Sequence, residues 1–300
     1  MQPSVNVLMS SYNGEKYIKE QIESILAQKD VKLVLTVRDD CSTDSTLEIL
    51  EELSNYDSRI RIYAGNNNLG YSNSFMWLIN NCSNEEEFYA ISDQDDVWLE
   101  EKLSRTIQLL GYKNKPMLGF CNADVVDKDL KYIKKRYPDN WASHKKWLSI
   151  EESKASGHLM VFNRALLDEV RRIKCELPIT YDKLLYTICA YTGCVFFLNE
   201  TLCKHRIHGN NASVSTKSKR IKSQINTALR GRSRYIPVCK ALLDLYEDKI
   251  SEEDKAFLNS MKQYKWNLPV IMKTIISRKL STGVFSHDIR IYLKLLMGRL

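Results

Sequence analysis

The sequence lacks the features that mark secreted, disulfide-bonded and membrane-spanning proteins. Its eight cysteines form no CxxC pair, which argues against a zinc or dithiol framework. No apolar run approaches the roughly 18 residues that a bilayer-spanning helix needs, and Met1–Asn6 has no basic start of a secretory signal. Unpaired thiols without a leader point to a reducing compartment. We therefore expect a cytoplasmic protein.

Two common nucleotide-binding loops are also missing. No GxGxxG follows the first predicted strand and no GxxxxGK[ST] occurs, which weakens dinucleotide and P-loop interpretations. A sugar-nucleotide pyrophosphorylase would need a Gly-rich loop with Arg or Lys after the first strand. The segment Ser10–Gly14 is neither rich in Gly nor basic. No nucleic-acid-binding motif occurs, so we expect no nucleic-acid partner.

The net charge of +7 is unevenly distributed along the chain. Residues 212–300 carry 18 Lys and Arg against 7 Asp and Glu, whereas residues 1–211 carry 26 against 30. Helical apolar patterns run through the basic part, and basic amphipathic helices can lie on an anionic membrane. Packing of these helices on the rest of the protein is an equally good explanation, so both remain open.

The first part of the chain alternates apolar runs with segments of helical periodicity. This alternation predicts an α/β fold in which a mostly parallel sheet is covered by helices on both faces. The first helical segment is Tyr17–Ala27. Later in the chain, Ser156–Arg164 indicates a strand followed by a turn, and Asn199–Glu200 indicates a turn after a strand at Val195–Leu198. The predicted strands of the first part are Val5–Met9, Val31–Val37, Ile60–Ala64, Glu87–Ser92 and Met117–Cys121.

Polar clusters follow three of these strands, at Ser11–Asn13, Asp39–Asp40 and Asp93–Asp96. Ligands of such sheets bind at the carboxyl ends of the strands, so the three clusters should converge on one crevice. Close carboxylates repel each other unless a cation lies between them, and Mg²⁺ or Mn²⁺ meets that need. Taken singly, the acidic clusters are also compatible with a polar turn and with capping of the next helix.

Four motifs in this order resemble the family 2 glycosyltransferases, which have the GT-A fold. The resemblance covers residues 4–211, and its fourth motif has the DQDDVW form typical of the bacterial rhamnosyltransferase-like branch. Cys41 stands where the family usually has Gly. The motifs are Val5–Asn13, Arg38–Thr46, Asn66–Gly70 and Ser92–Trp98.

The resemblance implies a nucleotide-sugar site with a divalent metal, Mn²⁺ or Mg²⁺. The resemblance implies that Tyr12 stacks on the nucleotide base and that Asp40 hydrogen-bonds to the base. It also implies that Asp95 is the principal metal ligand. His208 lies in a segment that resembles the family's closing Y-R-x-H-G-x-N and would complete the metal site. The nucleotide-binding candidates are Ser11, Tyr12, Asn13, Asp40 and Asp93, the metal candidates are Asp95 and His208, and the diphosphate-binding or supporting candidates are Asp96, Arg206 and Asn210.

The catalytic candidate is Asp182, which matches the Asp of the family's H-D-W-W segment. Tyr181 replaces the His of that segment. A base beside the acceptor hydroxyl supports a single displacement that inverts the anomeric carbon. Asp182 could equally cap the helix predicted at Leu184–Thr192. We expect His158 to be structural and His205 to point away from the site.

These expectations combine into one organisation of the chain. Residues 1–213 would form a GT-A catalytic domain, with a nucleotide-sugar-binding half at 1–115 and an acceptor half at 116–213, and residues 214–300 would form a helical region. The function would be inverting, metal-dependent sugar transfer in bacterial surface polysaccharide synthesis. Rhamnose from dTDP-rhamnose is favoured over a hexose from a UDP-sugar.

The expected partners are the donor, a saccharide or polyprenyl-linked saccharide acceptor, and an anionic surface on the inner face of the cell membrane. The alternative is a degenerate, non-catalytic protein of the same fold that binds nucleotide-sugar or carbohydrate. Tyr181 and Cys41 favour that alternative. The joint presence of Asp40, Asp95, Asp182 and His208 opposes it.

Overall fold

The structure is a computed structural model that describes residues 2–111, 114–139, 146–151, 155–209 and 233–300. The chain divides into two compact units. Unit 1 comprises Met1–Trp141, Ala155–Arg171 and Cys194–Ala212, and unit 2 comprises Ala142–Lys154, Arg172–Gly193 and Ser213–Leu300.

Unit 1 is built on a mixed sheet of nine strands within the described residues, in the order β3-β2-β1-β4-β8-β6-β9-β5 with β7 paired to β6. Strands β3, β2, β1 and β4 run parallel to one another. Strand β8 lies between β4 and β6 and is antiparallel to both. The strands are β1 Ser4–Ser11, β2 Lys32–Asp39, β3 Ile60–Ala64, β4 Phe88–Ser92, β5 Val97–Trp98, β6 Met117–Val126, β7 Tyr132–Lys135, β8 Met160–Asn163 and β9 Cys194–Arg206.

Helices follow the early strands because their apolar residues repeat at helical spacing. In the first helix Ile18, Ile22 and Ile25 are completely buried, while Lys19 and Glu20 face solvent. The central strands are buried on both sides, as a covered sheet requires. The helices of unit 1 are α1 Ile18–Leu26, α2 Thr46–Tyr56, α3 Tyr71–Asn81, α4 Lys102–Leu110 and α5 Arg164–Arg171.

Unit 2 is helical throughout its described part. It contains a short 3₁₀ helix at Lys146–Leu148 and five α-helices. Among the described residues, none of the helices has the length and apolar character needed to cross a bilayer. The helices are α6 Tyr181–Thr192, α7 Tyr235–Tyr246, α8 Glu252–Lys262, α9 Leu268–Ile276 and α10 Phe285–Leu296.

The predicted fold class is confirmed, and three local expectations are corrected. Asn199 and Glu200, for which the sequence predicts a turn, lie inside the continuous strand β9. The segment 156–164 is not one strand, because a 3₁₀ helix at Gly157–Leu159 precedes β8. Asp182 is not the N-cap of α6: Thr180 holds that position, and Asp182 lies in the first turn.

Candidate functional site

The carboxyl ends of β1, β2 and β4 are joined by direct hydrogen bonds. The Asp40 amide donates to the Ser11 carbonyl at 2.7 Å, and Ser11 Oγ donates to Asp39 Oδ1 at 3.0 Å. The Gln94 side chain accepts from the Tyr12 amide at 2.8 Å and donates to the Tyr12 carbonyl at 3.0 Å. The three polar clusters of the sequence therefore form one edge of the sheet.

Tyr12 and Asn13 form the rim of this edge. The Tyr12 side chain is exposed, at 46% of its full area, and offers a free aromatic face for stacking. Asn13 has a positive φ of 47°, and its Oδ1 accepts from the Thr43 amide at 2.8 Å. Asn13 thus fixes the β1 turn against the turn that follows β2.

Asp40 is buried and organises a neighbouring loop. Its two carboxylate oxygens accept from the Leu69 amide at 2.9 Å and from the Gly70 amide at 2.8 Å. It also forms an ion pair with Arg38. The Asp40 carboxylate therefore holds the turn at residues 69–70 in place. Asp40 can affect a nucleotide site by positioning this turn.

Cys41 has a left-handed backbone with φ of 68° and an exposed side chain. Residues other than Gly adopt this conformation at a cost, because the Cβ crowds the following carbonyl. Gly adopts this conformation without a steric cost, which explains why the family that the sequence resembles usually has Gly at this position. Exchange of that Gly for Cys strains the turn and leaves the neighbouring carboxylates in position.

Asp93 and Asp95 bring further carboxylates to the same edge. Asp93 Oδ1 is buried and has no hydrogen-bond partner within the described chain. Asp95 Oδ2 lies 2.8 Å from His208 Nε2. Burial, followed by the negative charges of Asp96 and Asp93, raises the pKa of Asp95 to about 8. Burial and the neighbouring carboxylates therefore destabilise a negative charge on Asp95, which a bound cation would relieve.

This arrangement fits a divalent cation. The orphaned Asp93 oxygen and the Asp95 carboxylate are hard oxygen donors of the kind that Mg²⁺ and Mn²⁺ prefer. Burial and the positive charges of Arg206 and Lys16 lower the pKa of His208, which keeps its imidazole neutral and able to act as a ligand. The two residues predicted as metal ligands are thus brought together.

Asp96 lies deeper and organises the end of β9. It is completely buried, and its Oδ1 accepts from the Arg206 amide at 3.1 Å and lies 3.0 Å from His205 Nδ1. Burial raises its pKa, but the charge of His158 and the hydrogen bond from His205 outweigh burial and bring the pKa to about 2. The expectation that His205 points away from the site is wrong.

Asp96, His158 and His205 have potential ligand atoms within 4.8 Å of one another. The two imidazole rings stack with centroids 4.5 Å apart and planes inclined by 13°. An imidazole nitrogen binds a metal in the plane of its ring, and one ion cannot lie in two near-parallel stacked planes. We therefore interpret this cluster as support for the outer carboxylates rather than as a second metal centre.

Arg206 is committed to contacts within unit 1. Its Nε donates to the Asp95 carbonyl at 2.9 Å and its Nη1 to the Lys128 carbonyl at 2.8 Å. It pairs with Glu20 and lies 4.5 Å above the Tyr17 ring. Of its two predicted roles, this geometry favours support over direct diphosphate contact.

The remaining candidates lie elsewhere. Asp182 is half-buried near the start of α6 in unit 2, where its carboxylate accepts from Thr180 Oγ1. Asn210 lies outside the described residues. The sequence analysis did not identify Gln94 as a bridge between strands, although Gln94 lies inside the acidic motif. It also did not place His158 and His205 beside Asp96. The pairing of β5 with β9 that brings His205 to Asp96 cannot be seen in the sequence.

Comparison with known proteins identifies the family. The sequence model described as Glycosyl transferase family 2 matches residues 6–171. The dTDP-rhamnosyl transferase RfbG of Shigella flexneri is 40% identical over 109 residues, which are 35% of this chain and 38% of that protein. The matching region thus spans well under half the length of this relative.

Two solved glycosyltransferase structures share the fold. TarS residues 1–349 from S. aureus superpose with a TM-score of 0.58 at 17% identity, covering 98% of this chain and 79% of that one. The mannosyltransferase PcManGT from Pyrobaculum calidifontis, in complex with GDP-Man and Mn²⁺, gives a TM-score of 0.54 at 16% identity, covering 99% and 81%. TarS has also been solved in complex with UDP-GlcNAc.

Proposed function

Because this chain belongs to glycosyl transferase family 2, we propose that it transfers a sugar from a nucleoside-diphosphate donor at the carboxylate edge of unit 1. The observation that carries the proposal is the pairing of Asp95 with His208 beside the unpartnered oxygen of Asp93. Closely spaced buried carboxylates suit a donor that arrives with a divalent cation.

Within this site the nucleotide would lie along the ends of β1 and β2. The exposed Tyr12 ring would stack on the base, with Ser11 and Asn13 shaping the turn beneath it. Asp40 would act through the loop whose amides it holds. Asp93 would face the ribose and diphosphate.

Asp95 and His208 would hold Mn²⁺ or Mg²⁺, which as a Lewis acid neutralises the charge that develops on the leaving diphosphate. Asp96 and Arg206 would keep the strand ends that carry these two ligands in register. Asn210 is proposed to support the same region.

We propose Asp182 as the base that removes the proton from the acceptor hydroxyl. The acceptor oxygen then forms a bond to the anomeric carbon as the bond to the diphosphate breaks, so that the configuration inverts in one step. Asp182 lies in the first turn of α6, where its carboxylate accepts a hydrogen bond from Thr180 Oγ1.

We propose dTDP-rhamnose as the donor, supported by the 40% identity to a dTDP-rhamnosyl transferase. A UDP-linked hexose is the second candidate. The proposed acceptor is a saccharide or a polyprenyl-linked saccharide of a bacterial surface polysaccharide, made at the cytoplasmic face of the membrane. A degenerate protein that binds the donor without transferring its sugar is the alternative.

The test is calorimetric titration of the protein with dTDP, UDP and GDP, each with and without Mn²⁺. We expect one nucleotide to bind tightly only with Mn²⁺, and Asp95→Asn to weaken that binding by more than about 100-fold. Asp129→Asn is the matched control, because Asp129 is an exposed acid in unit 1 outside this cluster.

Retention of metal-dependent binding in Asp95→Asn would reject the assigned metal site. Failure of all three nucleotides to bind the folded wild type would reject the transferase itself. Binding without any turnover of the matching nucleotide-sugar, with acceptor present, would favour the degenerate protein.

A further inference from the structure

Helices α9 and α10 form an antiparallel pair at the end of unit 2. A short connection, residues 277–284, joins the end of α9 to the start of α10. At the opposite end the Lys265 side chain packs on Gly298, where an added Cβ would come within 3.0 Å of it. The two helices therefore contact each other and run in opposite directions.

Each helix of the pair carries two apolar faces. The inner faces are buried in unit 2, through Ile271 of α9 and through Ile291 and Leu295 of α10. The outer faces are exposed, and their residues follow the spacing of one helical stripe, i, i+4, i+8. They are Leu268, Met272 and Ile276 on α9, and Phe285, Ile289, Leu293 and Leu296 on α10.

The outer stripes have no role in the core of unit 2. Phe285 is 81% exposed, Ile276 is 74% exposed, and Trp266 just before α9 is 75% exposed. Monomeric proteins rarely expose this many large apolar side chains on neighbouring helices unless a partner or a membrane covers them. Exposed Trp, Phe and Leu side chains beside lysines and arginines are typical of helices that lie at a membrane interface.

Within the segment that carries these stripes the charges are nearly all positive, although Lys279 pairs with the exposed Glu253 of α8 and Lys294 pairs with Glu151. Residues 264–300 contain seven Lys and Arg and a single acid, Asp288. Asp288 is buried and hydrogen-bonded to Ser281 and Thr282, so it does not face outward. Lys265, Lys273, Arg278 and Arg290 are exposed. An apolar stripe flanked by cations matches anionic headgroups above an acyl layer.

We propose that the outer face of α9 and α10 binds the surface of an anionic lipid bilayer. Phe285, Leu293 and their neighbours enter the boundary between headgroups and acyl chains, while the lysines and arginines contact the headgroups. A second copy of this chain fits less well, because it would place two strongly basic segments against each other. The proposal concerns unit 2 and does not depend on the transfer reaction.

The test is flotation of the full chain with vesicles of phosphatidylcholine containing phosphatidylglycerol, compared with phosphatidylcholine alone. We expect binding only to the anionic vesicles. The double variant Phe285→Ser/Leu293→Ser should reduce partitioning by about tenfold or more, and Lys265→Gln or Lys273→Gln by about fivefold each. Tyr56→Ser is the matched control, because Tyr56 is an equally exposed aromatic at 84% in unit 1.

Three outcomes would overturn the proposal. The first is that the wild type does not float with anionic vesicles. The second is that the double variant floats as the wild type does. The third is that sedimentation velocity shows a dimer that the double variant abolishes. The last outcome would assign the stripes to a second copy of the chain. Circular dichroism of each variant, unchanged from wild type, excludes misfolding as the cause of lost binding.

Discussion

Arg206 joins three parts of unit 1 that are distant in sequence. Its guanidinium reaches the Asp95 carbonyl, the Lys128 carbonyl and Glu20, and its own amide donates to Asp96. Only a planar group with several fixed donors can make these contacts together. The residue therefore sets the relative position of the two carboxylates and of the strand end that carries His208.

Arg206→Lys is expected to weaken metal-dependent nucleotide binding by about 10–100-fold, which is the usual effect of losing support behind a metal ligand. Lysine keeps the positive charge but lacks the planar set of N–H donors that the guanidinium group provides. Calorimetry in the presence of Mn²⁺ measures the change, with Arg61→Lys on the exposed side of β3 as control. An unchanged dissociation constant would show that the Arg206 guanidinium does not position the proposed metal ligands Asp95 and His208.

Asp182→Asn is expected to lower kcat by about 10²–10⁴-fold, because the amide cannot accept the acceptor's proton. Donor-nucleotide binding should stay within twofold of wild type, roughly, since a base acts on the acceptor. Steady-state kinetics with the donor found by titration measures both. Asp244→Asn, at an exposed acid of α7, is the control. A loss confined to KM would argue against a base.

The start of α10 depends on a carboxylate one turn into the helix. Asp288 accepts from Ser281 Oγ at 2.5 Å, from the Thr282 amide at 2.6 Å and from Thr282 Oγ1 at 2.7 Å. Burial raises the pKa of Asp288, but these hydrogen bonds outweigh burial and hold it below its ordinary value. The ionised side chain thus fixes the connection between α9 and α10.

A lowered pKa contributes stability above the ordinary aspartate pKa of about 3.9, and the contribution is lost as pH falls through the lowered value. Asp288→Asn should therefore reduce the free energy of unfolding at neutral pH by about 1–2 kcal/mol. The difference from wild type should shrink below about pH 4. Urea unfolding across this range measures it, and a difference independent of pH would contradict the assignment.

At the scale of the element, periodicity located most strands and helices of unit 1. Ile60–Ala64 is a strand with the predicted bounds, and α1 begins and ends within one residue of the prediction. The turn at Asn199 and Glu200 failed for a physical reason. Pairing of β9 with β6 shifts register near Cys121 and Asn122, and this irregularity accommodates polar residues inside a continuous strand.

At the scale of the whole molecule, the proposed functional groups are divided between the two units. Unit 1 holds the carboxylate edge, and unit 2 holds Asp182 together with the basic helices. Residues 172–193 belong to unit 2 together with the C-terminal helices. The domain boundary near residue 213, drawn from the change in charge, stays a prediction, since composition reports only on neighbours in sequence.

Sequence alone determined the alternation of strands and helices, the motif order, the convergence of three strand ends and the charge asymmetry. Each depends on local residue type or on the rule that ligands meet at the carboxyl ends of parallel strands. Tertiary structure decided which carboxylates are buried, that Asp40 and Arg206 support other groups, and that His158 and His205 stack beside Asp96. It also decided that α9 and α10 keep apolar faces exposed. These properties depend on long-range packing, which periodicity does not encode.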